Sequence, residues 1–89
     1  MNATFDSAKD ALNVAKHGVS LATAAGLDWD TALVWPDHRR DYGEPRQVAL
    51  APMKSRLWVV VFTDRAECRR IISLRKANLR EYLQYEQTH

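Results

Sequence analysis

The chain has 89 residues, 46% apolar and 27% charged, with three glycines, three prolines and one cysteine, Cys68. That length suits one domain with one core, and that balance excludes collagen-like, mucin-like and disordered chains. The net charge is +2, no apolar run approaches the ~18 residues of a membrane span, and a lone cysteine favours a reducing, cytoplasmic setting. The opening residues MNATFDSAKD carry acids and no apolar segment, so no secretory signal is expected.

Charge is unevenly spread. Eight of the 13 basic residues but two of the 11 acidic ones lie between Lys54 and Arg80, so that segment carries +6 and the remainder −4. Such a field is how a surface for polyanions is usually built. A domain near this length buries roughly 60–65% of its unfolded surface, so a partner binding only the folded state would add stability.

In chain order, residues 7–17 predict a helix. Ala8, Ala11, Leu12 and Ala15 recur at i, i+3, i+4 and i+7 as an apolar face, opposite Lys9, Asn13, Lys16 and His17. Asp6 or Ser7 caps its start and Gly18 its end. Ser20 caps a second short helix over 21–27. Thr31 to Trp35 predicts a strand stopped by Pro36–Asp37, followed by a loop over 38–45. Residues 46–51 alternate as the next strand, ended by Pro52. The run LWVVVFT, Leu57 to Thr63, predicts a central strand covered on both faces. Residues 67–75 alternate again, with Cys68, Ile72 and Leu74 on one face and Arg69, Ile71, Ser73 and Arg75 on the other. A last helix starts near Asn78, where Asn78 and Glu81 form a capping box. Leu79, Tyr82, Leu83 and Glu86 share its inner stripe, while Arg80, Gln84 and Gln87 face water. These elements predict a single α+β domain over 1–89: two N-terminal helices, a three- to four-stranded antiparallel sheet and a C-terminal helix. The sheet face bearing Arg69 and Arg75 is expected to stay open for a ligand.

Two segments also carry a resemblance. Phe5 to Ser20 (FDSAKDALNVAKHGVS) and Arg70 to Glu86 (RIISLRKANLREYLQYE) flank the strand VVVFTDR, and together they resemble the BrnT family, toxins of bacterial type II toxin–antitoxin modules. The runs KHGVS from Lys16 and IISLRKA from Ile71 are its most specific parts. Members often carry Trp where Phe5 stands, and some carry His where Phe62 stands. The resemblance implies a RelE-like fold and a ribonuclease that cleaves RNA and arrests translation. It further implies a cognate antitoxin, BrnA-like and of ribbon-helix-helix type, in a hetero-oligomer built on an antitoxin dimer that alone contacts DNA.

RNA cleavage without a metal needs a base for the ribose 2′-OH, an acid for the departing 5′ oxygen and cations around phosphorus. The catalytic candidates are Lys16, His17, Arg75, Lys76 and Tyr85; the RNA-binding candidates are Arg56, Arg69 and Arg80. Arginine suits phosphate because its planar fork donates two bonds at once. Each candidate also has a plainer role. His17 can compensate the helix dipole, Lys9 and Lys16 can form a solvated face, and Arg75–Lys76 can be a surface step into the helix. Tyr82 is expected in the core stripe and Tyr85 off it, where its phenol would stack on a base or donate to a phosphate. Arg70 is expected to pair with Asp64 or Glu67, and Cys68 to act as a small hydrophobe. His17, His38 and His89 lack ligand spacing, so no metal or cofactor is expected. Neither a Gly-rich phosphate loop nor a serine-hydrolase elbow occurs. Two further functions fit the same residues: a catalytically weak or inactive interaction protein acting through antitoxin binding and promoter corepression, and direct nucleic-acid binding. Charge placement leads to the expectation that an antitoxin covers the cationic sheet face.

Overall fold

The computed structural model describes residues 2–39 and 41–88; His89, one of the three histidines weighed above, lies outside them. In chain order the residues form β1 (Asn2–Thr4), α1 (Ser7–His17), two 3-10 helices (Leu21–Gly26 and Trp29–Thr31), β2 (Leu33–Pro36), β3 (Gln47–Met53), β4 (Arg56–Arg65), β5 (Cys68–Lys76) and α2 (Leu79–Gln87). The α+β class stands. The sheet, however, has five strands in the order β1-β5-β4-β3-β2, and it is mixed, because β1 runs parallel to β5 through Asn2–Cys68, Ala3–Arg69 and Thr4–Arg70. Three residues are too few to display alternation, which is why β1 was not legible in the sequence.

Other details also differ from expectation: the strand expected from Thr31 begins at Leu33, because Thr31 closes the second 3-10 helix. The second helix is 3-10, not α: Ser20 caps it by accepting from the Ala22 N–H, but Ala25–Gly26 supply little helix propensity. Packing holds it instead, since a Cβ added at Gly26 would lie 3.3 Å from Met53 Sδ. Pro52 does not end β3. It faces Leu57 in the ladder, whose N–H donates to the Tyr82 hydroxyl and whose carbonyl accepts from Ala77. The missing proline N–H therefore removes no ladder bond.

The most consequential irregularity is a bulge. Val61 pairs with Ser73 and Phe62 with Ile71, so Ile72 is an extra residue in β5. One inserted residue reverses which face every later side chain occupies. Arg69 and Ile71 thus share a face with Leu74, while Ser73 and Arg75 point the other way. Arg69 and Arg75, expected on one face, lie on opposite faces.

As the LWVVVFT run predicts, β4 is buried on both sides. Trp58, Val60 and Phe62 pack with Ala49, Ala51, Ile71 and Leu74 beneath Leu21 and Ala24 of the first 3-10 helix and Leu27 just after it. Leu57, Val59 and Val61 form a second cluster with Val48 and Leu50, flanked by Trp35, Tyr82 and Tyr85.

Both α-helices dock a face that differs from the expected one, although Tyr82 keeps its expected place against the core. In α1 the buried residue is Asn13, whereas Leu12 is 70% exposed and Ala8, Ala11 and Ala15 also face outward. The cause is the position of α1 beside the edge of β5. Asn13 Nδ2 donates to the carbonyls of Leu74 (2.8 Å) and Val19 (2.9 Å), and its Oδ1 accepts from the Leu74 N–H at 3.1 Å. Asp10 accepts from the Ser20 hydroxyl and the Leu21 N–H. Unpaired strand groups demand polar partners, so the polar face docks. In α2 the phenols do the same: Tyr82 receives Leu57, and the Tyr85 hydroxyl donates to the Thr31 carbonyl at 2.9 Å. Leu79 and Leu83 are left outside.

Candidate active site

Where the end of α1, the end of β2 and the first turn of α2 converge over the second sheet face, they enclose a basin of about 340 Å³. Val48, Val59 and Val61 form its floor. Around them stand Lys16 and His17 from α1, Trp35, Asp37 and Arg39 from β2 and the chain after it, Ser73 and Arg75 from β5, and Glu81 from α2.

Local structure explains each placement. Gly18 terminates α1 in the left-handed region at φ 73°, its N–H donating to the Val14 carbonyl. That stop, with the Asn13 anchor one turn earlier, leaves Lys16 and His17 in the last turn beside Arg75. His17 is held below the ordinary imidazole pKa of 6.5 by partial burial, and further by the positive charges of Lys16 and Arg75. The imidazole is therefore neutral at pH 7 and able to take a proton.

Arg75 reaches the basin because the Ile72 bulge turns it there. Its fork donates to both Glu81 oxygens, at 2.9 and 2.8 Å. Glu81 simultaneously accepts from the Asn78 N–H in the capping box that starts α2. The hydrogen bonds from Arg75 hold the Glu81 carboxyl below its ordinary pKa, and Glu81 raises that of Arg75. Both stay ionised at neutral pH.

On the far wall, Pro36 ends β2 and delivers Asp37, whose side chain is 1% exposed. Arg39 grips it through Nε (2.9 Å) and Nη2 (2.8 Å), the Arg39 N–H adds a bond at 3.2 Å, and the Tyr42 hydroxyl donates at 3.1 Å. The Arg39 hydrogen bond, assisted by Tyr42, holds Asp37 far below the usual carboxylate range. A buried carboxylate so satisfied fixes the guanidinium, while the Arg39 side chain itself remains 69% exposed. Its field reaches Arg75, whose charged form it disfavours.

The structure thus brings Lys16, His17 and Arg75 together and leaves the other sequence candidates elsewhere. Lys76, next to Arg75, faces the opposite side of β5, opposite Trp58 in the ladder. Tyr85 is tied to Thr31 and, with Arg56, lines a separate pocket against Leu57 and Tyr82. Arg69 lies at the far end of β5, bound to Asp64 at 2.7 and 3.1 Å and stacked on Trp29 and Phe62. Asp64 therefore pairs with Arg69, not with Arg70 as one expectation had it. Arg80 is exposed on α2. Arg69, Arg75 and Lys76 therefore do not converge on one phosphate site. Phe62, in β4, is fully buried in the opposite core, so the position where some family members carry His faces away from the basin.

Asp37, Arg39 and Tyr42 were missed as site residues because they occupy a stretch whose glycine and proline read as loop. The one available signal was weak: an Asp directly after a strand-ending proline, with Arg two residues on, is able to turn back on itself.

Among the described residues, no group of three or more His, Cys, Asp and Glu side chains could hold a metal ion. No helix among them is long and apolar enough to cross a membrane. A search of curated proteins finds no match to the chain. A family comparison does. Residues 5–81 match the family of BrnT ribonuclease toxins of type II toxin–antitoxin systems, and the chain belongs to that family.

Proposed function

We propose that this chain is an endoribonuclease that cleaves RNA without a metal ion, arrests translation and is neutralised by a DNA-binding antitoxin of ribbon-helix-helix type. The observation that carries this reading is the basin, where a neutral imidazole, an ammonium and two guanidinium groups surround a space open to a phosphodiester. His17 takes the proton of the ribose 2′-OH. The O2′–P bond forms as the P–O5′ bond breaks, and the Lys16 ammonium gives a proton to the departing 5′ oxygen. The products are a 2′,3′-cyclic phosphate and a 5′-hydroxyl. Arg39 and Arg75 hold the non-bridging oxygens, where preorganised positive charge acts most strongly. Lys76 and Arg80, beside this site in sequence, add to the positive field that gathers RNA.

The test is cleavage of a short RNA oligonucleotide in EDTA by wild type, His17→Ala and Arg75→Ala, each checked for an intact melting transition. Removing a proton-transfer group costs roughly 10²–10⁴-fold in rate, so His17→Ala should fall by at least about 10²-fold. Wild-type activity seen only with added divalent metal, or an unchanged rate in His17→Ala, would overturn the reading.

One observation favours the alternative, a weak or inactive enzyme that works through antitoxin binding and promoter corepression. Both arms of the Arg75 fork already bind Glu81, which leaves that guanidinium less free to grip phosphate. RNA left intact in EDTA and in magnesium, with nanomolar binding to the product of the neighbouring gene, would support it.

A further inference from the structure

The apolar stripe of α1, which periodicity assigns to the core, faces away from it, and Leu12 is 70% exposed. It is not an isolated patch. Leu12 and Ala15 form one wall of a groove of about 510 Å³ whose opposite side includes Ile72, the bulged residue of β5. Lys9 and Lys16 border it, and no acidic residue lines it. The groove runs into the basin, since Lys16, His17 and Ser73 belong to both.

We propose that this groove docks an amphipathic segment of the antitoxin, with an apolar side chain seated between Leu12 and Ile72 and carboxylates toward Lys9 and Lys16. A chain bound there extends over His17 and closes the basin to RNA. The choice of occupant rests on three observations. The family is one whose members work with an antitoxin. The lining combines apolar walls with lysines, which suits an acidic protein segment; RNA would gain from the lysines but not from Leu12, Ala15 and Ile72. The groove also runs directly into the basin. Only the consequence, silencing, rests on the nuclease reading; the docking does not.

The test co-expresses the chain with the antitoxin encoded beside it and measures affinity, hydrogen exchange and free-chain RNA cleavage for wild type, Leu12→Asp and Leu12→Met. Leu12 is exposed and outside the basin, so neither variant should disturb the fold or the cleavage rate. Loss of a buried interface anchor typically weakens binding by at least about 30-fold. That loss is expected for Leu12→Asp, with near-wild-type affinity for Leu12→Met and exchange protection over residues 8–17 and 71–74 in the complex. Unchanged affinity of Leu12→Asp, absence of binding by the wild type, or protection confined elsewhere would overturn the proposal. So would a raised KM for RNA in Leu12→Asp, which would make the groove part of the RNA path. A free chain that cuts no RNA would sink the nuclease reading while the affinity and exchange results still judge the docking site.

Discussion

Asn13 is the residue whose removal should test most directly how the site is assembled. Its side chain makes three hydrogen bonds, two to Leu74 and one to Val19, and Leu74 is fully buried. Asn13→Leu keeps the branched shape and raises helix propensity, but leaves the Leu74 N–H without its partner. One buried backbone donor left unsatisfied costs about 1–3 kcal/mol, and the two deserted carbonyls bring the expected loss to about 2–4 kcal/mol. For a domain of this size each kcal/mol lowers Tm by about 4–8 °C, so the drop should be roughly 8–32 °C. Thermal unfolding followed by circular dichroism measures it, with urea unfolding to check that the m-value is unchanged. The amide of Leu74 should also exchange faster in the variant, because α1 no longer covers the strand edge. Asn13→Asp separates the contributions: it retains the acceptor for Leu74 N–H but faces a carboxylate toward two carbonyls, and should also be destabilised. A Tm for Asn13→Leu within about 3 °C of wild type, less than 1 kcal/mol, would refute the idea that polar edge-pairing holds α1 and its last turn in place.

Two further predictions concern the end of the same helix. His17 is depressed below 6.5 in the folded chain by burial, Lys16 and Arg75, so the unfolded chain binds more protons just below that pH. Stability should therefore rise with pH through the window below 6.5 and flatten above it; His17→Gln should remove that slope in urea titrations at stepped pH, and an unchanged slope would count against the assignment. Gly18 has φ 73° with nothing within 4 Å of a built Cβ. Gly18→Ala should then cost only the left-handed backbone penalty of about 1 kcal/mol, read as a Tm loss of about 4–8 °C; no loss would mean that the helix end relaxes.

Hydrophobic pattern and capping chemistry were enough to establish most of the local elements, though not β1. The seven-residue apolar run became β4, the Asn78–Glu81 pair became the capping box of α2, and Gly18 stopped α1, because each depends on neighbours within a few residues. The family, too, was legible, in KHGVS and IISLRKA. Lys16, His17 and Arg75 were named as site residues, and they do line one basin. What composition and periodicity misjudged was orientation. Sequence alternation assumes that a strand keeps its register, and the insertion of Ile72 breaks it, sending Arg75 into the basin and Arg69 to the opposite face. Helical periodicity assumes that the apolar stripe docks, yet an open strand edge offers unpaired N–H and C=O groups, and their demand for partners outweighs the burial of alanines and one leucine. The Asp37–Arg39–Tyr42 cluster belongs to neither pattern, since a loop has no period. Apart from β1, which elements form was decided along the chain; which residues meet at the site was decided by tertiary pairing, as in the Asn13–Leu74 bonds that span 61 positions.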